Sequence, residues 1–464
     1  MKDRADVVSP LHIPVIYLDK YSCRGPRYTS YPTAPHFKPD FDQEAIKVLW
    51  KASNDNPSDN LSLYVHIPFC TSRCLYCGCY TEIHHTDHIH ELYIRSIINE
   101  LQMICTLINT SRKISQMAFG GGSPTSVNYR HLETFLDAIH KYFLFSPESE
   151  LSIEIDPRSI DCDYLDQLIT LGFNRFSFGV QDLDPTVQKN VHRSLDENAL
   201  SGLINHLHRR GYYAINIDLI YGLPGQTTKT FTHTLKKISD MKPSRIAVFG
   251  YAHVPWISPH QKALEKFKIP DANQRTQLFG AAFEQLTANG YHHIGMDHFA
   301  LSDDDLFIAL KNHELTRNFM GYTTQRNLDL IGLGASAISA INGCYTQNIK
   351  GVAEYVSSND SYRWHKALIL SDEDLIRRDL ILELFCNFHL DIPNFESRHQ
   401  LNFETHFRKE LASLKGFISD DMLRINKHSL SVSPLGRYFI RNICMVFDQY
   451  ITSETNKTRY SKTL

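Results

Sequence analysis

From residue 61 onward, short apolar runs alternate with longer stretches of helical spacing, and this rhythm restricts the folds open to the chain. The runs cover 61–67, 116–120, 151–155, 175–180, 214–220 and 245–250. Helical patterns fill 90–106, 132–142, 163–171, 197–210 and 228–241 between them. Apolar strands separated by helices predict a parallel sheet covered by helices. Six such units predict an α/β fold, a partial (β/α)6 TIM-type barrel, with an open doubly wound sheet as the alternative. In either form chemistry collects at the carboxyl ends of the strands. The Gly-rich and polar motifs of this chain all fall just after one of the runs.

The rest of the chain divides around that rhythm. Residues 1–60 are polar and interrupted by Pro26, Pro32, Pro35 and Pro39, which break regular elements. The barrel is expected over 61–360. Beyond it the pattern turns charged and helical, so 361–464 is expected to form a mainly helical C-terminal domain, with a helix over 372–388 and a short strand and turn over 432–439. A length of 464 residues suits such a division, at about 150 residues per ordinary domain. A net charge of −3 gives no basic field for nucleic acid or anionic lipid. Residues 1–10 are charged and lack the apolar centre of a secretory signal. No run approaches the roughly 18 apolar residues of a membrane span. A cytoplasmic location is therefore expected.

Four of the ten cysteines, Cys70, Cys74, Cys77 and Cys79, fall within ten residues, and the other six are scattered. A secreted disulfide framework would spread them in pairs. The cluster directly follows the first apolar run, in Tyr64-Val-His-Ile-Pro-Phe-Cys70, and reads Cys-x3-Cys-x2-Cys-Gly-Cys. Thiolates suit iron–sulfur clusters or zinc. Three of them, Cys70, Cys74 and Cys77, can hold three irons of a [4Fe–4S] cubane and leave the fourth open. An open metal position is what catalysis requires, and it could take the amino and carboxylate groups of S-adenosylmethionine. The competing reading is structural zinc with Cys79 as fourth ligand. Structural zinc usually pairs two separated cysteine turns, and no second turn exists here. A cluster closed by Cys79 would instead make an electron carrier.

Gly120-Gly-Gly-Ser-Pro-Thr125 follows the second run. Glycines let the backbone approach a ligand without a Cβ in the way, so this turn is a candidate seat for the methionine amino group. It is neither a dinucleotide fingerprint nor a P-loop. Glu154, Gln181 and Asp218 end the third, fourth and fifth runs, where polar groups could hold ribose hydroxyls and amines; singly, each is more often a cap or a solvated turn. Arg193 could grip a carboxylate through both nitrogens, although alone it reads as a surface helix residue.

The chain resembles the oxygen-independent coproporphyrinogen III oxidase family of radical S-adenosylmethionine enzymes. The likeness is carried by the cysteine motif and by Gly25-Pro-Arg-Tyr-Thr-Ser-Tyr-Pro-Thr-Ala34, Gly120-Gly-Gly-Ser-Pro-Thr125, Gly179-Val-Gln-Asp182, Asn216-Ile-Asp-Leu-Ile-Tyr-Gly-Leu-Pro224, Tyr251-Ala-His-Val-Pro255, Gly295-Met-Asp-His-Phe-Ala300, Gly321-Tyr-Thr-Thr324 and Arg441-Asn-Ile-Cys-Met445. The resemblance implies a partial barrel with a helical C-terminal domain and an N-terminal segment, 27–34, that closes over the substrate. It implies a [4Fe–4S] cluster on Cys70, Cys74 and Cys77 and two molecules of S-adenosylmethionine. Tyr64, Gly121, Glu154 and Arg193 match contacts to the first; Gly122, Ser123, Gln181, Asp218, Ala252 and Ile338 match contacts to the second. Two propionates of coproporphyrinogen III would become vinyl groups, giving protoporphyrinogen IX for haem (porphyrin) biosynthesis, through hydrogen abstraction by a 5′-deoxyadenosyl radical. An unactivated propionate β-carbon offers no acidic proton to a base, so homolytic abstraction is the logical route.

The implied partners are the tetrapyrrole substrate and an electron-donor protein the sequence does not identify; no nucleic acid or membrane is implied, and the chain is expected to act as a monomer. Arg27, Arg377 and Arg378 are candidates for the propionates. Tyr28 and Tyr31 are candidates to close over the tetrapyrrole, with ordinary packing as the alternative. Two departures stand out: Ser123 replaces a common Thr, and His192-Arg193-Ser194-Leu195 replaces Asn-Arg-x-Gln, which leaves the hydrogen bonds around Arg193 open. A related haem chaperone is the main rival, but such relatives lack the 25–34 leader and the Cys-Gly-Cys continuation. An RNA-modifying radical enzyme and a zinc-stabilised interaction protein are further alternatives.

Overall fold

The structure, a computed structural model, describes residues 15–55, 60–358, 362–451 and 460. The charged 1–10 stretch lies outside them. Six strands lead the barrel: β1 (Leu61–Ile67), β2 (Ile114–Gly121), β3 (Phe145–Ile155), β4 (Arg175–Gln181), β5 (Ile215–Tyr221) and β6 (Arg245–Gly250). Each is followed by a helix: α1 (Asp87–Ile104), α2 (Tyr129–Tyr142), α3 (Cys162–Thr170), α4 (Glu197–Arg209), α5 (Thr228–Asp240) and α6 (Ala272–Ala288). The strands pair in parallel in chain order, β1 through β6. This is the expected α/β partial barrel.

The sheet is wider than the six runs suggest. β7 (His292–Gly295) and β8 (His298–Ala300) extend it antiparallel beyond β6. On the other side β9 (Asp329–Leu333) joins β1 in parallel, and β10 (Ile338–Ile341), β11 (Cys344–Asn348) and β12 (Trp364–Ile369) follow antiparallel. The order β12-β11-β10-β9-β1-β2-β3-β4-β5-β6-β8-β7 leaves the sheet open.

The strands are also less uniformly apolar than the runs imply. Along β4, Phe176, Phe178 and Val180 are buried, while Arg175, Ser177, Gly179 and Gln181 are half-exposed. Side chains alternate across a strand, so one face meets the helices and the other lines cavities inside the barrel. The main core joins the outward strand face to the helices, through residues such as Phe119, Phe135, Phe173 and Leu203.

A second core belongs to the C-terminal region, around α7 (Asp372–Asn387). It includes a small three-stranded sheet of His389–Asp391, Leu423–Ile425 and Ser429–Val432. The strand expected over 432–439 instead ends at Val432. Residues Gly436–Phe439 form a 3-10 turn, with the Gly436 N–H donating to Ser433 Oγ at 3.1 Å; Pro434, without an N–H, cannot continue the ladder. The N-terminal segment packs into this second core. Tyr28 and Tyr31 are buried there, and the Tyr28 hydroxyl donates to Asp448 at 3.0 Å. Arg441 donates to the carbonyls of Gly25 and Pro26.

Arg112, 1% exposed, ties several of these parts together. It pairs with Asp329 of β9 at 2.8 Å and donates to Ser53 Oγ at 3.2 Å. Breaking one side of a buried ion pair strands the other charge. Arg112→Ala should cost about 3 kcal/mol, read as a lower urea midpoint by far-UV circular dichroism. An unchanged midpoint would refute this role.

Candidate active site

The cysteine loop begins at the carboxyl end of β1. Its base is closed by a two-residue parallel ladder, Phe69–Cys70 against Glu82–Ile83. Phe69 is fully buried, with its ring 4.5 Å from that of His90 and 5.1 Å from Tyr93. On the far side, Leu75 N–H donates to Val191 O at 3.0 Å, Gln261 Nε2 to Tyr76 O at 2.9 Å, and His260 Nε2 to Cys77 O at 2.8 Å.

The glycine turn after β2 lies directly against this loop. Gly122 N–H donates to Ile67 O and Ser123 N–H to Phe69 O, each at 2.8 Å. A Cβ on Gly122 would stand 2.6 Å from Phe69 O, and one on Gly121, whose φ is +120°, would stand 2.7 Å from the His66 ring. One on Gly120 would meet the Glu154 carboxylate at 2.8 Å. These glycines therefore allow close approach to the protein's own backbone and side chains as well as to a ligand.

Both motifs wall a cavity of about 590 Å³. Cys70, Cys74, Cys77, Gly121, Gly122, Ser123, Glu154, Gln181, Arg193, Asp218 and Ala252 all line it, as does Arg27 of the N-terminal segment. Tyr64 lies deeper. It lines a second barrel cavity of about 230 Å³, shared with Glu154, and its hydroxyl is 3.1 Å from His66 Nδ1. Ile338, on β10, packs against a cluster of Phe37, Tyr345 and Leu370 and does not line the large cavity. Of the candidate arginines, Arg377 is bound by Glu373 and Glu410 and Arg378 lies beside Asp379, so only Arg27 reaches the cavity.

Sequence reading missed Asp156 and Arg158, just past the end of β3. Arg158 pairs with Asp156 at 2.6 Å and approaches Cys74 Sγ at 3.8 Å. Arg193 donates to Cys74 Sγ at 3.3 Å, to Asp156 at 3.2 Å and to Gly179 O. Burial opposes ionisation of Asp156, but the two guanidiniums hold it below the usual carboxylate range. Two cations thus face one cysteine sulfur. Arg193 keeps these bonds despite its altered neighbours; Leu195 N–H donates to Gln188 Oε1 at 3.1 Å.

The other ionisable groups follow from enclosure. Burial, with the nearby Asp218 charge, pushes Glu154 up to about 7, and burial pushes Asp218 up to about 6. Burial also pushes the Cys70 thiol up to about 12, whereas a hydrogen bond from Cys79 pulls Cys77 down to about 6. A bound cation reverses the penalty at such thiols. Three thiols set along a cavity wall suit a multinuclear cluster. Gln181 Oε1, Arg193 Nε and Asn216 Oδ1 are buried without partners, and buried polar atoms of this kind call for a polar ligand. The residues present therefore fit a [4Fe–4S] cluster with an adjoining polar cofactor.

A partial barrel with a three-cysteine loop at its carboxyl end defines a radical S-adenosylmethionine protein. The profile of the Radical SAM superfamily matches residues 64–238, and that of the HemN C-terminal domain matches 370–439. The chain is 40% identical over 450 residues to oxygen-independent coproporphyrinogen III oxidase of Escherichia coli (strain K12), covering 96% of this chain and 97% of the relative. It is 38% identical over 96% of its length to the Synechocystis enzyme of the same name, covering 97% of that relative. The solved structure of coproporphyrinogen III oxidase (HemN) from Escherichia coli, described as a radical SAM enzyme, superposes with a TM-score of 0.89 at 38% identity, over 96% of this chain and all of that one. The chain belongs to the oxygen-independent coproporphyrinogen III oxidase family.

Gly122→Ala should displace the cysteine loop by driving a methyl group into Phe69 O. Bound iron after anaerobic reconstitution should fall well below the wild-type count, while Cys79→Ala should keep the full count. Full iron in Gly122→Ala would remove the glycine turn from this role.

Proposed function

We propose that the chain converts coproporphyrinogen III to protoporphyrinogen IX without oxygen, by oxidative decarboxylation of two propionates to vinyl groups. The observation that carries this reading is full-length kinship with the coproporphyrinogen III oxidases, joined to a cavity in which three cysteines face the polar strand ends. Cys70, Cys74 and Cys77 would hold the cluster. When bound, cluster and sulfonium cofactor together supply a carbon radical able to take an unactivated hydrogen.

The protein's part is positioning. Gly121, Glu154 and Arg193, with Tyr64 from the deeper cavity, would hold the first S-adenosylmethionine. Gly122, Ser123, Gln181, Asp218 and Ala252 would hold a second. Ile338 is the weakest member of that set, being outside the cavity lining. Residues 1–60 would close the site, 61–360 would carry it and 361–464 would brace the closing segment. Arg27 lines the cavity, and Arg441 and Asp448 anchor its neighbours Gly25, Pro26 and Tyr28. Exclusion of water protects a reactive intermediate, and a fixed leader provides a wall for it. An electron-donor protein would deliver the reducing electron, and the chain would act as a monomer in the cytoplasm. No described helix is long and apolar enough to cross a membrane.

Anaerobic incubation with coproporphyrinogen III, S-adenosylmethionine and a reductant should yield protoporphyrinogen IX. Release of 5′-deoxyadenosine without any decarboxylated tetrapyrrole would overturn the substrate assignment.

The acids of the cavity give the cofactor a pH signature. Glu154 keeps its proton up to about 7, and only its carboxylate accepts two sets of hydrogen bonds from ligand N–H or O–H groups. Affinity for S-adenosylmethionine should be about tenfold weaker at pH 6 than at pH 8. Asp218 ionises nearby, so Glu154→Gln is the necessary control, and titration calorimetry should show a much flatter profile for it. An equally steep profile in that variant would assign the effect to another group.

A further inference from the structure

A cavity of about 410 Å³ adjoins the large one. The two share Arg27, Gly250, Tyr251, Ala252 and Val254 in their walls. The smaller cavity adds two cations from distant parts of the chain: Arg24 from the N-terminal segment and Arg275 from α6.

The partners of these arginines are neutral. Arg24 donates to the Tyr460 carbonyl at 3.0 Å, and its guanidinium lies over the Trp256 ring, 5.4 Å from the centroid. Arg275 donates to the Tyr251 carbonyl at 2.8 Å, and its Nε is buried without an acceptor. Arg27 alone is ion-paired, with Asp297 at 3.2 Å. The one carboxylate in the lining, Asp271, caps α6 by accepting from Gln274 N–H at 2.8 Å. Three guanidiniums thus meet two carboxylates, Asp297 on Arg27 and Asp271 already engaged as a helix cap, beside an indole that is 55% exposed. Guanidiniums held in a concave site, with donors left over, suit carboxylates, and an exposed aromatic wall suits a flat apolar body.

We infer that Arg24, Arg27 and Arg275 form a carboxylate-binding subsite that grips non-reacting propionates of the substrate, with Trp256 against its pyrrole face. This rests on the functional reading above and adds its orienting element. While one propionate enters the large cavity through the shared Gly250–Ala252 wall, others are held on the arginines. Release and re-gripping would let the second propionate take its turn.

The test uses coproporphyrin III, the fluorescent and unreactive oxidised form of the substrate, and its tetramethyl ester, bound to the iron-loaded enzyme and followed by anisotropy. The wild type should bind the acid far more tightly than the ester. Arg275→Gln and Arg24→Gln should each weaken acid binding by about tenfold or more and leave ester binding as it was. Iron content and circular dichroism serve as checks on folding, and Arg275→Lys should recover part of the lost affinity. Undiminished acid binding in both Gln variants would overturn the subsite, as would equal binding of acid and ester by the wild type. Neither outcome touches the functional reading while the wild type still decarboxylates coproporphyrinogen III. A wild type that neither binds the acid nor turns over the substrate would overturn both.

Discussion

The site depends on one backbone contact, the seating of the Gly120–Ser123 turn on the residues that lead into Cys70. Two amide hydrogen bonds at 2.8 Å join the turn to Ile67 O and Phe69 O. Each of the three glycines is required by a different neighbour: the Glu154 carboxylate, the His66 ring and the Phe69 carbonyl. A side chain at Gly122 would lift the turn off the Phe69 carbonyl, and one at Gly120 or Gly121 would press on Glu154 or His66. The same turn holds Glu154 in place, because Gly121 N–H donates to its Oε2 at 3.1 Å. The orientation of the thiols, the floor of the cavity and the placement of its principal acid therefore share one cause.

Charge within the cavity is arranged in two zones. Near the cysteines, Arg158 and Arg193 surround Cys74 and are themselves balanced by Asp156. Further in, enclosure raises both Glu154 and Asp218, and the Asp218 charge raises Glu154 further. An anionic cluster is favoured in the first zone and a ligand rich in N–H and O–H donors in the second. The N-terminal segment adds a third wall, and its position is set by residues more than four hundred positions away, Arg441 and Asp448. The placement of that wall thus depends on the folded C-terminal region.

The six strand–helix units were legible because their periods differ, and the cysteine and glycine motifs because composition there is extreme. Between residues 290 and 370 the pattern was opaque. The strands β7 to β11 have three to five residues each, too few for a period to emerge, and β12 carries exposed His365 and Ile369 on its outer edge. Asp156 and Arg158 gave no signal because an Asp-Pro-Arg step after a strand reads as a turn. Arg24 lies far in sequence from Trp256 and Arg275 and meets them because the leader folds back across the end of β6. Tyr64 and Ile338 show the opposite limit: a motif match fixes neither the direction of a side chain nor the cavity it faces.

The strands themselves explain why a partial barrel can hold this site. A closed barrel fills its interior with branched apolar side chains. Here the inward positions are polar along β2 to β6: Gln116, Glu150, Arg175, Asn216 and Arg245 line the deeper cavity. Polar groups brought out of water are costly unless bonded, and these largely are. Glu150 pairs with Arg175 at 2.6 Å and accepts from Gln116 at 3.2 Å; Arg245 pairs with Asp304; Asn216 donates to Ser177 and to Asp218 at 2.8 Å. The apolar half of each strand supplies adhesion to the helices, which leaves the inward half free to carry function. Glu154 stands where the polar column meets the cavity with the cysteines. Its carboxylate is thus backed by a bonded polar lattice, and the residues that shape the reaction need contribute little to holding the fold together.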